Sequence, residues 1–205
     1  MKNTKEKILE VSLELFSRNG FTAVSVRDIC RQVQIKESSI YYYFTSKQAI
    51  FDELLDRFQQ TATEMMSRLE QAMQKESVSE DSNFYQHVCG IFFENYLMDD
   101  FCNKVMRLLS MEQFHSETVR EIYDSWMFER PLQFQSRIFS MLIHAGVIPA
   151  ADCRDLAVKY YAPIYFFAQR WLFCGALSEK QKNAFRADAY DHIQKFFSGI
   201  GGKAE

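Results

Sequence analysis

Residues 25–47 read SVRDICRQVQIKESSIYYYFTSK. Ser25 and Asp28 have the spacing of a capping box, in which the hydroxyl accepts from a backbone N–H and the carboxylate returns the bond. Apolar side chains then recur on one face of a helix, at Val26, Ile29, Cys30 and Val33. Gln34 and Ile35 follow this stripe and mark a tight turn. The stretch is therefore predicted to begin with a short amphipathic helix and a turn.

A second short helix is predicted from about residue 36 to residue 44. Ile40 and Phe44 lie one helical turn apart and point inward, and Ile35 closes the corner. The residues left facing outward are Lys36, Ser38, Ser39, Tyr41 and Tyr42, with Tyr43 on the flank. An aromatic core stripe is the alternative, but three consecutive tyrosines on a helix cannot all face one core. An exposed helix of this kind fits the DNA major groove.

The outward residues have the chemistry for contacting a phosphate-lined groove. Hydroxyls donate to phosphate oxygens, lysines neutralise them, and aromatic rings contact thymine methyl groups or sugars. The predicted DNA-binding residues are Ser25, Arg27, Lys36, Ser38, Ser39, Tyr41, Tyr42, Tyr43 and Lys47. Lys47 lies at the start of the next helix, where a cation opposes the helix dipole, so a phosphate contact explains its position better than a solvated side chain does.

Several motifs in the right order resemble the DNA-binding domain of the TetR family of bacterial transcriptional regulators. They are ILEVSLELFSRNGF at 8–21, VRDIC at 26–30, SSIYYYF at 38–44 and SKQAIFDELL at 46–55. The resemblance runs from about residue 4 to residue 55. It implies a DNA-binding repressor whose helical body forms a homodimer and holds a pocket for a small effector.

Two positions depart from the family's pattern. Gln34 stands in the turn where the family usually has Gly, which implies either a turn that needs no left-handed conformation or some strain. Glu37 stands early in the second helix, where the family often has Lys or a small polar residue. Its carboxylate repels phosphate but can accept a hydrogen bond from the amino group of cytosine. Pairing with Lys36 or Arg31 is the favoured alternative, since surface ion pairs are common.

Length and composition predict an all-α protein with two domains, a three-helix helix-turn-helix domain at 1–47 and a larger helical bundle at 48–205. The 205-residue chain has only three Pro and seven Gly, and no segment alternates like a half-buried strand. The first helix is predicted from Thr4 to Asn19, where Gly20 ends it. The helix that follows the tyrosine-bearing segment is expected to be capped by Thr45 or Ser46 and to run through Leu69. If Thr45 is the cap, Gln48 could complete a capping box with it.

The body is predicted to be a series of helices joined by short breaks. A polar loop reads KESVSEDS at 75–82, and the body begins near Asn83. Ser116 can cap one of its helices, Pro131 breaks or kinks the run, and Gly146 ends it.

The last two helices are predicted at about 152–174 and 178–198. The first of them contains YYAPIYFFAQRWLF at 160–173, which is apolar on nearly every side. A helix of that kind must be buried all round, and in a chain of this size a second subunit would cover it. These two helices are therefore predicted to form a homodimer with two-fold symmetry. The alternative is a central helix buried within one subunit.

Charge and hydropathy favour a cytoplasmic protein with a basic N-terminal part. The first 48 residues carry eight Lys and Arg against five Asp and Glu, whereas the whole chain has a formal net charge of −3. The positive excess lies in the part expected to contact DNA. No apolar run is long enough to span a bilayer, and the polar start MKNTKEK does not resemble a signal peptide.

The resemblance implies a pocket for a small effector in the body, which is rich in aromatic residues and methionine, and such pockets are mostly apolar. Because the body has no fixed cluster of charges, the effector is expected to be neutral or lipophilic. Candidate lining residues are Phe92, Tyr96, Met106, Phe114, Tyr123, Trp126, Phe134, Tyr161, Tyr165 and Phe166. Each of them can instead belong to the hydrophobic core, since apolar residues at helical spacing usually do. A helical DNA-binding adaptor without an effector is therefore the alternative function, and a solid core would favour it.

The sequence indicates no enzyme, no metal site and no cofactor. Its five cysteines include no CxxC pair and are expected to be reduced, and its four histidines are far apart. Cys89, His115 and Asp124 can be assembled into a catalytic set on paper, but no spacing supports it.

Overall fold

The computed structural model describes residues 4–75 and 89–201. All regular structure in these two ranges is helical, which confirms the predicted all-α class. The α-helices are α1 (Thr4–Asn19), α2 (Val26–Val33), α3 (Glu37–Ile40), α4 (Lys47–Lys75), α5 (Asp100–Glu112), α6 (Glu117–Asp124), α7 (Arg130–His144), α8 (Cys153–Trp171) and α9 (Glu179–Gly201). Two π-helical segments, Phe93–Leu97 and Ser125–Glu129, precede α5 and α7.

The chain divides into two compact units, each built from segments that are not contiguous in sequence. The first unit comprises Met1–Thr63 and Asp100–Tyr123, and the second comprises Glu64–Asp99 and Asp124–Glu205. The first unit thus combines the predicted DNA-binding helices with α5 and all but the last residue of α6. The predicted functional boundary between residues 47 and 48 stays a prediction, because packing units and functional domains need not coincide.

Local signals in the sequence account for the first two helices. α1 has the predicted bounds, and Gly20 ends it with a φ of +81°. Ser25 caps α2, because its Oγ accepts from the backbone N–H of Asp28, whose carboxylate accepts from the N–H of Ser25. These two bonds confirm the predicted capping box. Ile29 and Val33 are buried, so α2 presents its apolar stripe to the core of the first unit.

The turn after α2 keeps a left-handed residue without using glycine. Gln34 has φ 67° and ψ 45°, and it is the one non-glycine residue with a positive φ in the two described ranges. Of the two interpretations left open by the sequence, the strained one is therefore adopted, since a Cβ disfavours this conformation by roughly 1 kcal/mol. The backbone N–H of Ile35 donates to the carbonyl oxygen of Cys30 at 3.1 Å, which closes the end of α2.

The tyrosine-bearing helix is shorter than the sequence predicted. α3 ends at Ile40, whereas the helix was expected to continue to Phe44. Beyond Ile40 the chain winds on as a turn, in which the N–H groups of Tyr43 and Phe44 both donate to the carbonyl oxygen of Ile40, at 2.9 and 3.0 Å. Shared acceptance by one carbonyl is typical of a helix end that tightens. Ile40 and Phe44 are both buried, as predicted.

α4 begins where the sequence indicated, with one difference in its cap. Ser46 provides the cap, since its Oγ accepts from the backbone N–H of Ala49 at 3.1 Å. Gln48 makes no capping box with Thr45; its Nε2 donates to Asp52 Oδ1 at 2.8 Å instead. The predicted polar loop at 75–82 and the predicted start of the body near Asn83 fall, apart from Lys75 in α4, outside the described residues.

Pro131 accounts for a local rearrangement in the second unit. It lies in the first turn of α7, directly after the π-helical segment Ser125–Glu129. Because proline has no N–H, it cannot donate to the carbonyls four and five residues earlier, those of Met127 and Trp126. The hydroxyl of Tyr161 donates to Met127 O at 2.9 Å, and that of Tyr96 donates to Trp126 O at 3.3 Å. Two tyrosines thus supply donors beside the predicted break.

The last two helices are present, and α8 is not buried all round in the single chain. Asp152 caps α8, which ends at Trp171, a few residues before the predicted end. Its buried residues are Leu156, Ala157, Tyr160, Tyr161, Ile164 and Ala168. Val158 and Phe166, however, are exposed. Within the described residues, no helix is both long enough and apolar enough to cross a membrane.

The conformation of Gln34 predicts an unusual response to glycine. Gln34→Gly should leave the free energy of unfolding unchanged or raise it by up to about 1 kcal/mol, because glycine adopts a positive φ without a Cβ clash. Chemical denaturation measures this change. Gln32→Gly, an exposed position inside α2, is the control and should lose about 1 kcal/mol. Equal losses in the two variants would contradict the strain at Gln34.

Candidate nucleic-acid interface

One exposed surface carries most of the residues that the sequence predicted for DNA binding. We call the outward side chains of residues 36–39 and 41–43 the recognition surface. Tyr42 is 88% exposed, and Tyr41 and Tyr43 are also exposed, whereas Ile40, which directly precedes them, is 2% exposed. Lys36 and Ser38 are exposed and Ser39 is half-buried. The packing of Ile40 into the core therefore turns its neighbours outward.

Ser25 already uses its hydroxyl within the protein. The hydroxyl donates to Asp28 Oδ2 and accepts from the backbone N–H of Asp28. The hydrogen bond from this side chain, together with that from the Ser25 backbone, holds the pKa of Asp28 below its usual value, and Arg31 nearby contributes in the same direction. The carboxylate is therefore charged at neutral pH. Ser25 fixes the start of α2, and a direct DNA contact from it stays a prediction.

Glu37 forms a local ion pair, but with a different partner from those expected. Its Oε1 lies 3.0 Å from Arg27 Nε on α2. Arg31 is engaged elsewhere, because its Nη2 lies 2.6 Å from Asp28 Oδ1. The partner of Glu37 is therefore Arg27, and the predicted pairing with Lys36 or Arg31 is wrong. The turn at Gln34 brings α2 and the start of α3 side by side. Arg27 and Glu37 are ten residues apart, so their pairing could not be predicted from sequence spacing.

Lys47 is not a solvated side chain, because its ammonium group is bound within the protein. Its Nζ donates to the carbonyl oxygens of Phe21 and Val24, both at 2.7 Å, and lies 4.2 Å from the centre of the Phe21 ring. Partial burial lowers the pKa of Lys47, and the negative charge of Glu112 opposes that shift. Lys47 therefore ties the start of α4 to the loop between α1 and α2. A phosphate contact through its remaining N–H stays a prediction.

Glu112, on α5, binds the same loop from another side. Its Oε1 accepts from the backbone N–H of Phe21 at 2.8 Å, and its side chain is buried. The backbone of Phe21 is thus bound on both sides, its N–H by the carboxylate of Glu112 and its carbonyl oxygen by the ammonium group of Lys47. Arg107, on the same helix as Glu112, donates to the carbonyl oxygen of Ser17 at 3.0 Å. All of these residues belong to the first unit.

The second unit contains a small aromatic cavity with about 40 Å³ of free space. Its lining consists of Met66, Leu69, Cys89, Phe92, Phe93, Pro131, Phe134, Gln135, Tyr160, Tyr161 and Ile164. Three of the predicted pocket residues are among them: Phe92, Phe134 and Tyr161. The free space is enough for about three water molecules.

The other predicted pocket residues do not line this cavity. Tyr96 and Trp126 are buried in the second unit, Tyr165 is half-buried there, and Phe166 is exposed. Met106, Phe114 and Tyr123 belong to the first unit, where Met106 and Tyr123 are buried and Phe114 is 82% exposed. The prediction grouped these residues by type, and helical spacing alone could not separate core, surface and cavity.

Cys89 lies in the cavity wall and is not an activated nucleophile. Its Sγ is 2.9 Å from the hydroxyl oxygen of Tyr160, and burial raises the pKa of the thiol to about 11. A thiol with a raised pKa stays protonated at neutral pH. His115 and Asp124 are exposed. Among the described residues, no group of three or more His, Cys, Asp or Glu side chains is arranged to hold a metal ion.

Comparison with known proteins supports the N-terminal resemblance. Residues 8–54 match the family model of bacterial regulatory proteins of the tetR family. YttP of Bacillus subtilis (strain 168), a probable HTH-type transcriptional regulator, is 24% identical over 144 residues, which are 70% of this chain and 65% of YttP. IcaR of Staphylococcus aureus (strain Newman), the HTH-type negative transcriptional regulator of the biofilm operon icaADBC, is 39% identical over 49 residues, 24% of this chain and 26% of IcaR. The chain therefore spans less than two thirds of the length of these relatives.

A solved structure extends the likeness of fold over almost the whole chain. A protein from Mesorhizobium loti MAFF303099, described as a TetR-family transcriptional regulator, superposes with a TM-score of 0.68 and 19% sequence identity. The superposition covers 97% of each chain. At this identity the likeness shows a shared fold and nothing about ligands.

The contacts of Lys47 generate a prediction about stability. Lys47→Met should lower the free energy of unfolding by about 1.5–3 kcal/mol, because two charge-assisted bonds to backbone carbonyls are lost. Chemical denaturation of the full chain measures the change. Lys36→Met, at an exposed lysine on the recognition surface, should change stability by less than about 0.5 kcal/mol. Equal effects of the two substitutions would show that Lys47 does not hold the loop.

Proposed function

We propose that this chain, whose residues 8–54 match the family model of bacterial regulatory proteins of the tetR family, is a repressor of that family and binds a near-palindromic operator as a homodimer. Each subunit would place α3 and the turn after it in a major groove. Acting on chromosomal DNA, the protein would work in the cytoplasm.

The exposure of the tyrosines on the recognition surface is the observation that carries the proposal. An 88% exposed Tyr42 contributes little to the core of its own chain. Its neighbours Tyr41 and Tyr43 share this outward position, and Lys36 and Ser38 stand beside them. Hydroxyls and a lysine suit phosphate oxygens, and the rings suit thymine methyl groups.

The charge of the N-terminal part as a whole is also compatible with DNA binding. The first 48 residues carry eight Lys and Arg against five Asp and Glu, although the chain as a whole is acidic. Positive charge on a DNA-binding element releases counterions from the duplex on binding, which makes the affinity fall steeply with salt. We therefore expect the operator affinity of this chain to depend on ionic strength.

We propose repression because IcaR, one of the relatives, is a negative regulator. Its match to this chain is confined to 49 residues. A protein bound at an operator that overlaps a promoter excludes the transcription machinery by occupancy. Occupancy of the operator by the homodimer would therefore suffice for repression, whatever ligand the body binds.

The proposed homodimer is supported by apolar side chains that a single chain leaves uncovered. On α8, Phe166 is 59% exposed and Val158 is 43% exposed. Both are large apolar residues on a helix whose opposite face is buried. Pairing of α8 and α9 with their copies would cover them and set two recognition surfaces about 34 Å apart, the repeat of B-DNA.

A second candidate is a DNA-binding regulator without a small effector, and the small volume of the aromatic cavity is compatible with it, although the second unit also has an open surface pocket of about 890 Å³. Ligand pockets typically enclose about 300–1,000 Å³, whereas this cavity has about 40 Å³ of free space. An effector of ordinary size would have to displace lining rings such as Phe92 and Tyr161. A neutral or lipophilic compound that binds the chain and releases its operator would favour the effector-responsive repressor.

Removal of the most exposed tyrosine tests the DNA-binding proposal. Tyr42→Ala should weaken binding to an operator selected from random DNA by roughly tenfold, since a base contact contributes on the order of 1–3 kcal/mol. Fluorescence anisotropy at fixed salt measures the affinity. Phe114→Ala is the matched control, because Phe114 is a comparably exposed aromatic residue that is not part of the recognition surface. Wild-type affinity in Tyr42→Ala, or unfolding of that variant, would contradict the role.

A charge on α8 tests the homodimer. Phe166→Glu should convert the dimer into monomers, because an interface cannot bury an unpaired carboxylate without a large cost. Sedimentation velocity distinguishes the two states. Phe114→Glu adds the same charge at an exposed aromatic residue of the first unit and should stay dimeric. A wild-type chain that sediments as a monomer would refute the interface.

A further inference from the structure

We propose that Glu37 reads a cytosine in each half of the operator, and that Arg27 is the positioning residue that holds the Glu37 carboxylate for this contact. The inference rests on the proposed binding of DNA and names the base recognised by one residue of the recognition surface.

Glu37 stands where a base contact is possible. It is the first residue of α3, its side chain is 53% exposed, and it follows the exposed Lys36. The tyrosines of the recognition surface follow in the turn directly after α3. A side chain at the start of a recognition helix is among those that reach base edges when the helix enters the major groove.

The ion pair with Arg27 removes the main objection to an acidic residue at this place. A lone carboxylate facing a duplex is repelled by the phosphates. Arg27 Nε lies 3.0 Å from Glu37 Oε1, so a positive charge accompanies the negative one. The other carboxylate oxygen, Oε2, keeps its lone pairs for a further donor.

The chemistry of the major groove selects cytosine as the partner of that oxygen. A carboxylate only accepts hydrogen bonds, so it needs a donor on the base edge. Guanine presents two acceptors there and thymine presents one, whereas cytosine presents its amino group. Adenine has an amino donor beside the N7 acceptor, and the second carboxylate oxygen would be repelled by N7. Cytosine is therefore the base that Glu37 fits best.

Arg27 suits the positioning role because its charge is permanent and its donors lie in a rigid fork. One fork nitrogen orients Glu37, and the remaining N–H groups can meet a phosphate. Arg31, one turn further along α2, is held by Asp28. Arg27 thus links the orientation of α2 to the placement of a single carboxylate on α3.

The test is selection of bound sequences from random duplex DNA by the full-length chain, with each variant also checked for wild-type thermal unfolding. We compare the wild type with Glu37→Gln and Arg27→Gln. Glu117→Gln is the matched control, because Glu117 is an exposed carboxylate paired with Arg120 in the first unit. It removes the same charge far along the chain from α3.

The wild type should select cytosine at one symmetric position in each half-site. Glu37→Gln should select adenine at that position, because a glutamine amide pairs with the N6 and N7 atoms of adenine. Its affinity for the wild-type operator should fall roughly tenfold. Arg27→Gln should keep the preference for cytosine but discriminate less against adenine, a readout that a purely structural role would not move. Glu117→Gln should select the wild-type sequence.

Two results would overturn the inference, and they can be told apart from failure of the proposed function. If Glu37→Gln selects the same bases as the wild type and only binds all duplexes more tightly, Glu37 acts by phosphate repulsion alone. If Glu37→Ala retains the cytosine preference, another residue reads that base. A wild-type chain with no salt-dependent affinity for any duplex would refute the DNA-binding function itself, and the cytosine contact with it.

Discussion

Burial of Ile40 and Phe44 is the constraint on which the recognition surface depends. The two side chains lie on one side of a segment only a few residues long, and both are buried. Since they are bound to the core, the tyrosines between them have no inward position to occupy. The hydrophobic effect on two residues therefore sets the direction of three others. Exposure of large rings is a consequence of this anchoring, and it makes the rings available to a partner.

Polar side chains hold the loop between α1 and α2 in the same unit. The loop between α1 and α2 is gripped at Phe21, whose N–H is bound by Glu112 and whose carbonyl is bound by Lys47. Backbone groups that are partly withdrawn from water need such partners, because an unpaired one is costly. Glu112 and Lys47 are more than sixty residues apart in the sequence. The loop that precedes α2 thus depends on α5, a helix of the same unit that is distant in sequence, as well as on its own neighbours.

Features encoded by neighbouring residues were predictable, and features that join distant residues were not. The bounds of α1, the left-handed Gly20 and the Ser25–Asp28 capping box all follow from short-range chemistry. The Arg27–Glu37 pair depends on the angle between two helices, and that angle follows from a strained turn at Gln34. A glutamine at that position gives no local sign that it adopts a positive φ. Phe114 and Phe166, which the sequence offered as pocket residues, are exposed in the single chain, because an apolar residue type does not state which side of a helix faces the core. Their role in a pocket stays a prediction.

The sequence by itself determined the all-α class, the helix-turn-helix motif and the outward placement of the tyrosines. Each of these rests on helical periodicity or on caps within a few residues, where chain connectivity brings the interacting groups together. Tertiary structure alone decided the role of Lys47, the partner of Glu37 and the small size of the aromatic cavity. These three features depend on which residues meet in the folded chain. Close packing of side chains decides those contacts, and spacing along the sequence does not.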